Sequence, residues 1–280
     1  MCYCINKLYK EFLVHTIMDT VISSGSQLFD QLLNGGYETN VITTVYGPAG
    51  SGKSTLSLLA AIAMAKTGKK VIFIDTEGGF SVTRIMQLCD NNAEILEKIL
   101  IFRPTSFNEQ MHHILKLKSM INEKIGIIIV DTISMLYRLE LGKNEGVKHI
   151  NNQLSIQIAH LTDIARTSHI PILLTNQVYS DFEIPDNVKM VGGDLLDYGS
   201  KCLIELRKFR TKRAAIIKKH RSIEEGRKII FQFCNKGILE AEPETIIIRK
   251  DPAQEHHEHE KKKEEEQEKI MEEFKSPLTD

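Results

Sequence analysis

The chain has 280 residues, 42% hydrophobic and 26% charged, with a net charge of −1. That length buries a core without metals or disulfides, and the near-neutral balance excludes a polycation that grips nucleic acid through bulk charge. Five cysteines (Cys2, Cys4, Cys89, Cys202, Cys234) form no C-x-x-C pair, which excludes a zinc ribbon or disulfide framework and fits reduced thiols. No apolar run approaches the roughly 20 residues that cross a bilayer, and no secretory signal is legible, so the expected setting is cytoplasmic, without a membrane partner.

Residues 1–17 read as an N-terminal extension, with Met18 as a natural start. Ser26 is a candidate N-cap for a short helix that Gly35 and Gly36 end. "NVITTVYG" is a β-rich run feeding a glycine loop, and "STLSLLAAIAMAKTG" is a helix apolar on nearly every side, hence buried. "KKVIFIDTEGG", "ILIFRP", "IGIIIVDT" and "IPILLTNQV" predict further strands, with helices over 106–121 and 146–168 between them. Strand and helix alternate, the pattern of an α/β domain with a mostly parallel sheet. After a loop over 179–193 the pattern changes. "SKCLIELRKF", "RAAIIKKH" and "KIIFQFC" predict antiparallel hairpins that extend one edge of the sheet. The core thus spans 18–240, and 241–280 is a densely charged tail with little to bury. Its "EHHEHE" run reads as solvated, not as a metal site.

The segment "GPAGSGKST" fits G-x-x-x-x-G-K-S/T between a strand and a helix. Gly47, Pro48, Ala49, Gly50, Ser51, Gly52, Lys53, Ser54 and Thr55 would cradle the phosphates of ATP with backbone N–H groups and a helix N-terminus. Lys53 supplies a point charge and Ser54 a hydroxyl for Mg2+. Asp131 ends an apolar strand, where a carboxylate either holds Mg2+ through water or caps a helix. Glu77 ends another strand and is either the group that positions water for hydrolysis or a solvated loop acid. Gln177 closes a third; its amide can sense a terminal phosphate or cap the following loop.

The ordered segments "GPAGSGKS", "FIDTEGGFSVTRI", "IIIVDTISMLYRLE", "LLTNQV" and "GGDLLDYGSK" resemble the RecA-like recombinase core, in particular the archaeal RadB group of recombinase paralogues. The likeness runs from Thr20 to about Glu240. It implies a RecA-like ATPase fold in which Glu77 orients the attacking water and Gln177 couples the terminal phosphate to a DNA-facing loop. It also implies that Arg84 sits by the adenine, although the family's RP-x-R segment reads "FSVTR" here. The loop after Gln177 carries Asp181, Glu183 and Asp186 with Lys189 as its only base, a poor match to a DNA-gripping loop. The helical domain and linker aromatic of full-length recombinases have no clear counterpart in the stretch before the core, where Phe12 in "EFLVH" is unconvincing. An accessory role beside a full-length recombinase is the expected one, with self-assembly open.

The basic run from Arg207 to Arg221 is the best DNA patch: Arg207, Lys208, Arg210, Lys212 and Arg213 can reach phosphates of single- or double-stranded DNA, or else form a solvated edge. Lys219 and Arg221, in "KKHR", can also act on a neighbour's nucleotide in the manner of an arginine finger. A KaiC-like regulatory ATPase and a nucleotide-switched interaction protein are the competing functions.

Overall fold

A computed structural model of the chain describes residues 21–143, 146–180 and 188–242. The proposed extension 1–17, the acidic loop residues Asp181, Glu183 and Asp186, and the tail from 243 onward lie outside the described residues. A two-stranded ribbon, β1 (Val21–Ile22) with β2 (Tyr37–Glu38), brackets helix α1 (Gln27–Leu32). Ser26 occupies the N-cap position, but its side chain makes no capping bond. Asp30 organises this corner instead, accepting from the Ser24 amide at 2.6 Å and the Ser23 hydroxyl at 2.7 Å.

The main strands are β3 (Ile42–Tyr46), β4 (Lys70–Asp75), β5 (Ile99–Phe102), β6 (Ile125–Asp131) and β7 (Ile172–Asn176). A small ribbon of β8 (Val178–Ser180) and β9 (Val188–Met190) follows. The chain then continues through β10 (Cys202–Phe209), β11 (Lys212–Lys219), β12 (Lys228–Cys234) and β13 (Gly237–Glu240). The nine-stranded sheet has the order β13-β12-β11-β10-β3-β7-β6-β4-β5. From β10 to β5 every neighbouring pair is parallel, and β11 to β13 add on antiparallel. This is the mostly parallel sheet with antiparallel terminal strands that the alternating pattern anticipates.

The central parallel strands β3, β6 and β7 are buried on both faces, as continuous apolar runs require, while β5 lies at the edge with Ile101 exposed. In β6, Ile127 and Ile129 join the core beneath α2 (Lys53–Lys66), while Ile128 and Val130 face the opposite side. There they meet α5 (Phe107–Met120) and α7 (Val147–Ser168) through Ile114, Leu117, Leu154 and Leu161. Full burial of each such side chain contributes ~1.5–3 kcal/mol. Ser106 caps α5 by accepting from the Glu109 amide at 3.2 Å, and Glu109 reaches back to the Thr105 amide at 2.7 Å.

Four shorter helices complete the described chain: α3 (Val82–Leu88), α4 (Glu94–Glu97), α6 (Met135–Leu141) and α8 (Gly193–Gly199). Phe29 of α1 meets Phe231 of β12 edge-on at 5.4 Å, which covers the antiparallel extension. Among the described residues no helix is long and apolar enough to cross a membrane.

Candidate nucleotide site

Residues 47–55 leave the carboxyl end of β3 and wrap into the first turn of α2. Gly50 (φ +71) and Gly52 (φ +113) take left-handed conformations that side chains rarely adopt. Gly52 also has no room for a side chain, since a Cβ would lie 2.2 Å from the Phe233 ring. The loop is thus held open-handed between its own strand and the last hairpins. Lys53 turns back on it, donating to the carbonyls of Gly47 at 2.8 Å and Pro48 at 3.1 Å. Burial draws the Lys53 ammonium pKa down, countered by Glu77 and Asp131. The Ser51 hydroxyl is buried without a hydrogen-bond partner.

Behind the loop, Asp131 ends β6 and is 1% exposed. It accepts from the Thr175 hydroxyl at 2.5 Å, and the Ser54 hydroxyl is near enough to favour its charged form. Burial raises its carboxyl pKa, and those hydroxyls only partly offset the rise. Asp131 makes contacts of its own at the strand end, and no helix N-cap is among them. The ends of β4 and β6 are lashed by reciprocal bonds, the Thr76 hydroxyl to the Thr132 carbonyl at 2.7 Å and the Thr132 amide to the Thr76 hydroxyl at 2.9 Å.

Asp75 folds the turn after β4 by accepting from the amides of Gly79 and Phe80 at 3.0 and 3.1 Å. That turn presents Glu77, whose carboxylate accepts from the Thr132 hydroxyl at 3.1 Å and from the Gln177 amide at 2.5 Å. Three strand ends therefore converge on one carboxylate. The Asn176 side chain and the Gln177 carbonyl bond the backbone of Val191, so the residue touching Glu77 also anchors the β8–β9 ribbon.

The loop, Glu77 and Gln177 line a cavity of about 550 Å³, within the range of small-ligand sites. Gly47, Ala49, Gly50, Gly52, Lys53, Ser54, Thr55, Glu77 and Gln177 all face it. The glycine cradle, the Lys53 ammonium and the Ser54 hydroxyl with Asp131 behind it fit a polyphosphate and a hard cation. Among the described residues no cluster of three His, Cys, Asp or Glu side chains exists, so such a cation would complete its shell with phosphate oxygens and water.

The other expected residues fall elsewhere. Arg84 is not in the cavity lining; it donates to the carbonyls of Cys234 at 3.0 Å and Asn235 at 3.1 Å, tying α3 to the β12–β13 turn. Lys219 lies across from Leu203, at the end of β11 away from its own phosphate loop, and bonds Asp197. Arg221 donates to the buried carboxylate of Glu38 at 2.9 Å. In the basic hairpin, Arg207 bonds Glu205 at 2.6 Å and Lys212 the Glu242 carbonyl at 3.1 Å, while Lys208 and Arg210 are exposed at its tip. Arg213 turns inward and lines the cavity together with Phe233, Arg138 and Val178, residues that sequence reading did not assign to it. Their only local signal is the glycine at 52, which demands a close neighbour but does not name one.

The parallel sheet, the phosphate loop at a strand-to-helix turn and the antiparallel extension define a RecA-like phosphate-loop protein. The Rad51 family model matches residues 16–241. The chain belongs to that family, in its RadB group. It is 41% identical over 225 residues to the DNA repair and recombination protein RadB of Methanococcoides burtonii, covering 80% of this chain and 99% of that one. The RadB of Methanobrevibacter smithii is 39% identical over 218 residues, covering 75% and 92%. A solved crystal structure of the RadB recombinase superposes with a TM-score of 0.68 at 34% identity, over 79% of this chain and all of the other.

Proposed function

We propose that the chain binds ATP with Mg2+ in this cavity, hydrolyses it slowly, and serves DNA recombination and repair beside a full-length recombinase. The observation that carries the reading is the convergence of Lys53, Ser54 and the Glu77–Gln177 pair on one cavity, with the Asp131 carboxylate buried behind Ser54. Lys53 moves from loop carbonyls, which are neutral acceptors, to phosphate oxygens, which are charged and stronger ones. Ser54 and Asp131 hold Mg2+, which neutralises phosphate charge when bound. Glu77 orients water, and Gln177 reports the terminal phosphate to the ribbon it anchors. Arg84, beside the cavity, borders the base. Arg207, Lys208, Arg210 and Lys212 contact DNA phosphates without sequence preference.

The names of the relatives support the process, DNA repair and recombination. The RadB resemblance supports an accessory role with a recombinase partner. The test is phosphate release with and without single-stranded DNA, with Lys53→Ala as control: release that DNA does not stimulate removes the DNA-linked ATPase.

A second reading is a nucleotide-switched interaction protein with almost no turnover. It is favoured by the two donors that already occupy the Glu77 carboxylate.

A further inference from the structure

One wall of the cavity is a cation that the proposed ATPase leaves without a task. Arg213 is the second residue of β11, and its side chain runs across the front of the phosphate loop. Nη2 reaches the Gly50 carbonyl at 3.5 Å, the outer limit of a hydrogen bond, and Nη1 donates to Thr211 at 2.8 Å. Nε is buried with no hydrogen-bond partner. The guanidinium carbon stands 4.7 Å over the centroid of Phe233. That ring is fixed in turn, by Phe231 edge-on at 5.6 Å and by the bare Gly52 beneath it.

We propose that Arg213 is a polyphosphate-binding residue of its own chain's nucleotide site, with Phe233 as the platform that sets its guanidinium plane. This rests on the reading of the cavity as an ATP site and adds to it a residue from the far hairpin. A guanidinium offers five donors in a rigid fork that matches phosphate oxygens. Here the bond to the Gly50 carbonyl is long and its acceptor neutral, so a charged acceptor in the cavity replaces it with a stronger one. Lys53 shares the condition, resting on loop carbonyls. The ring contact leaves the edge of the fork, where phosphate binds, open.

The occupant is the polyphosphate of a nucleotide, not a nucleic-acid backbone. Arg213 lines the same cavity as Lys53, Ser54 and Thr55, and its Nε is shielded from solvent. Lys208 and Arg210, on the same hairpin, are the exposed cations available to an external polyanion.

The test measures affinities of the full chain for ATP, ADP, inorganic pyrophosphate and adenosine by calorimetry. Arg213→Met is expected to weaken ATP, ADP and pyrophosphate by about 10- to 100-fold, as loss of a hydrogen bond to a charged group does, with adenosine unchanged. Arg213→Lys recovers only part, because a point charge neither forks nor stacks. Phe233→Leu weakens the same ligands, and adding it to Arg213→Met costs less than it does alone. If Arg213→Met melts early, Arg213→Lys decides: a loss of about threefold or more for pyrophosphate supports the assignment, and no loss overturns it. Arg213→Met binding ATP and pyrophosphate like the parent, while Lys53→Ala does not, overturns it and leaves the ATP site standing. Loss of oligonucleotide affinity alone overturns it in favour of a nucleic-acid surface. A parent chain that binds no ATP removes the site and the inference together.

Discussion

The side-chain amide of Gln177 donates to the carboxylate of Glu77 at 2.5 Å, joining two strand ends 100 residues apart in the chain. The same Gln177 holds Val191 through its carbonyl, so one residue touches both the Glu77 carboxylate and the ribbon beyond it. Glu77 is therefore linked to the ribbon through one residue, by its side chain on one side and its backbone carbonyl on the other.

Glu77→Gln is expected to leave ATP affinity within about threefold and to lower turnover by ~10²–10⁴, the contribution of a positioned base. Pre-steady-state phosphate release reads both. Turnover that survives within about twofold moves the base elsewhere and favours the switch reading.

Asp131→Asn separates stability from ligation. Burial raises the folded pKa of Asp131 above its unfolded value of 3.8, so the folded state holds the proton more tightly. That contribution is fully present below the unfolded value and is lost as pH rises through the folded one, leaving an ionised carboxylate that opposes folding at neutral pH. The asparagine variant without ligand should melt higher at pH 7, with the gain shrinking as pH falls toward 4. Its Mg2+-dependent ATP affinity should drop. A variant that melts lower at pH 7 would mean that the Thr175 and Ser54 hydroxyls outweigh the burial cost.

Neutralising Lys208, Arg210 and Lys212 together should weaken oligonucleotide binding alike for all sequences. The slope of log affinity against log salt should flatten by about 0.7–0.9 for each DNA phosphate that the hairpin no longer neutralises. An unaltered slope assigns the hairpin tip to solubility.

The placement of the glycine loop was legible because its pattern is local: Gly47 to Thr55 are contiguous, and β3 and α2 flank them as their patterns require. The buried strands were legible because runs such as Ile127 to Val130 fit both faces of a parallel sheet. Arg213 and Phe233 were not. They reach the cavity because β10 lies parallel to β3, pairing Glu205 with Tyr46, and β11 and β12 follow outward from it. Nothing near residue 213 encodes that neighbour. The helices α3, α4, α6 and α8 were missed because pieces of 4–7 residues are held by tertiary packing more than by their own propensity. At Ser26 the capping rule found the helix start but not the bond, which Asp30 makes from inside the helix.

Lys219 and Arg221 carry the last expectation, completion of a neighbour's site. Neither reaches its own cavity, so a nucleotide role for them requires assembly. Arg221 is bound to Glu38, a carboxylate 6% exposed that also has His220 at 3.9 Å. Burial lowers the His220 pKa, so near neutral pH the imidazole is mostly uncharged and Arg221 is the main cation facing Glu38. Truncating Arg221 therefore has two effects that must be told apart. Loss of the ion pair lowers the melting temperature whatever the assembly state. Loss of a cation acting in trans lowers ATPase activity by ~10³ or more, but only where chains assemble. Activity per chain should then rise with protein concentration in the parent. Mixing Arg221→Ala with Lys53→Ala should restore part of it, since some interfaces join an intact phosphate loop to an intact arginine. A lowered melting temperature with concentration-independent activity and no rescue on mixing leaves Arg221 as the partner of Glu38 alone.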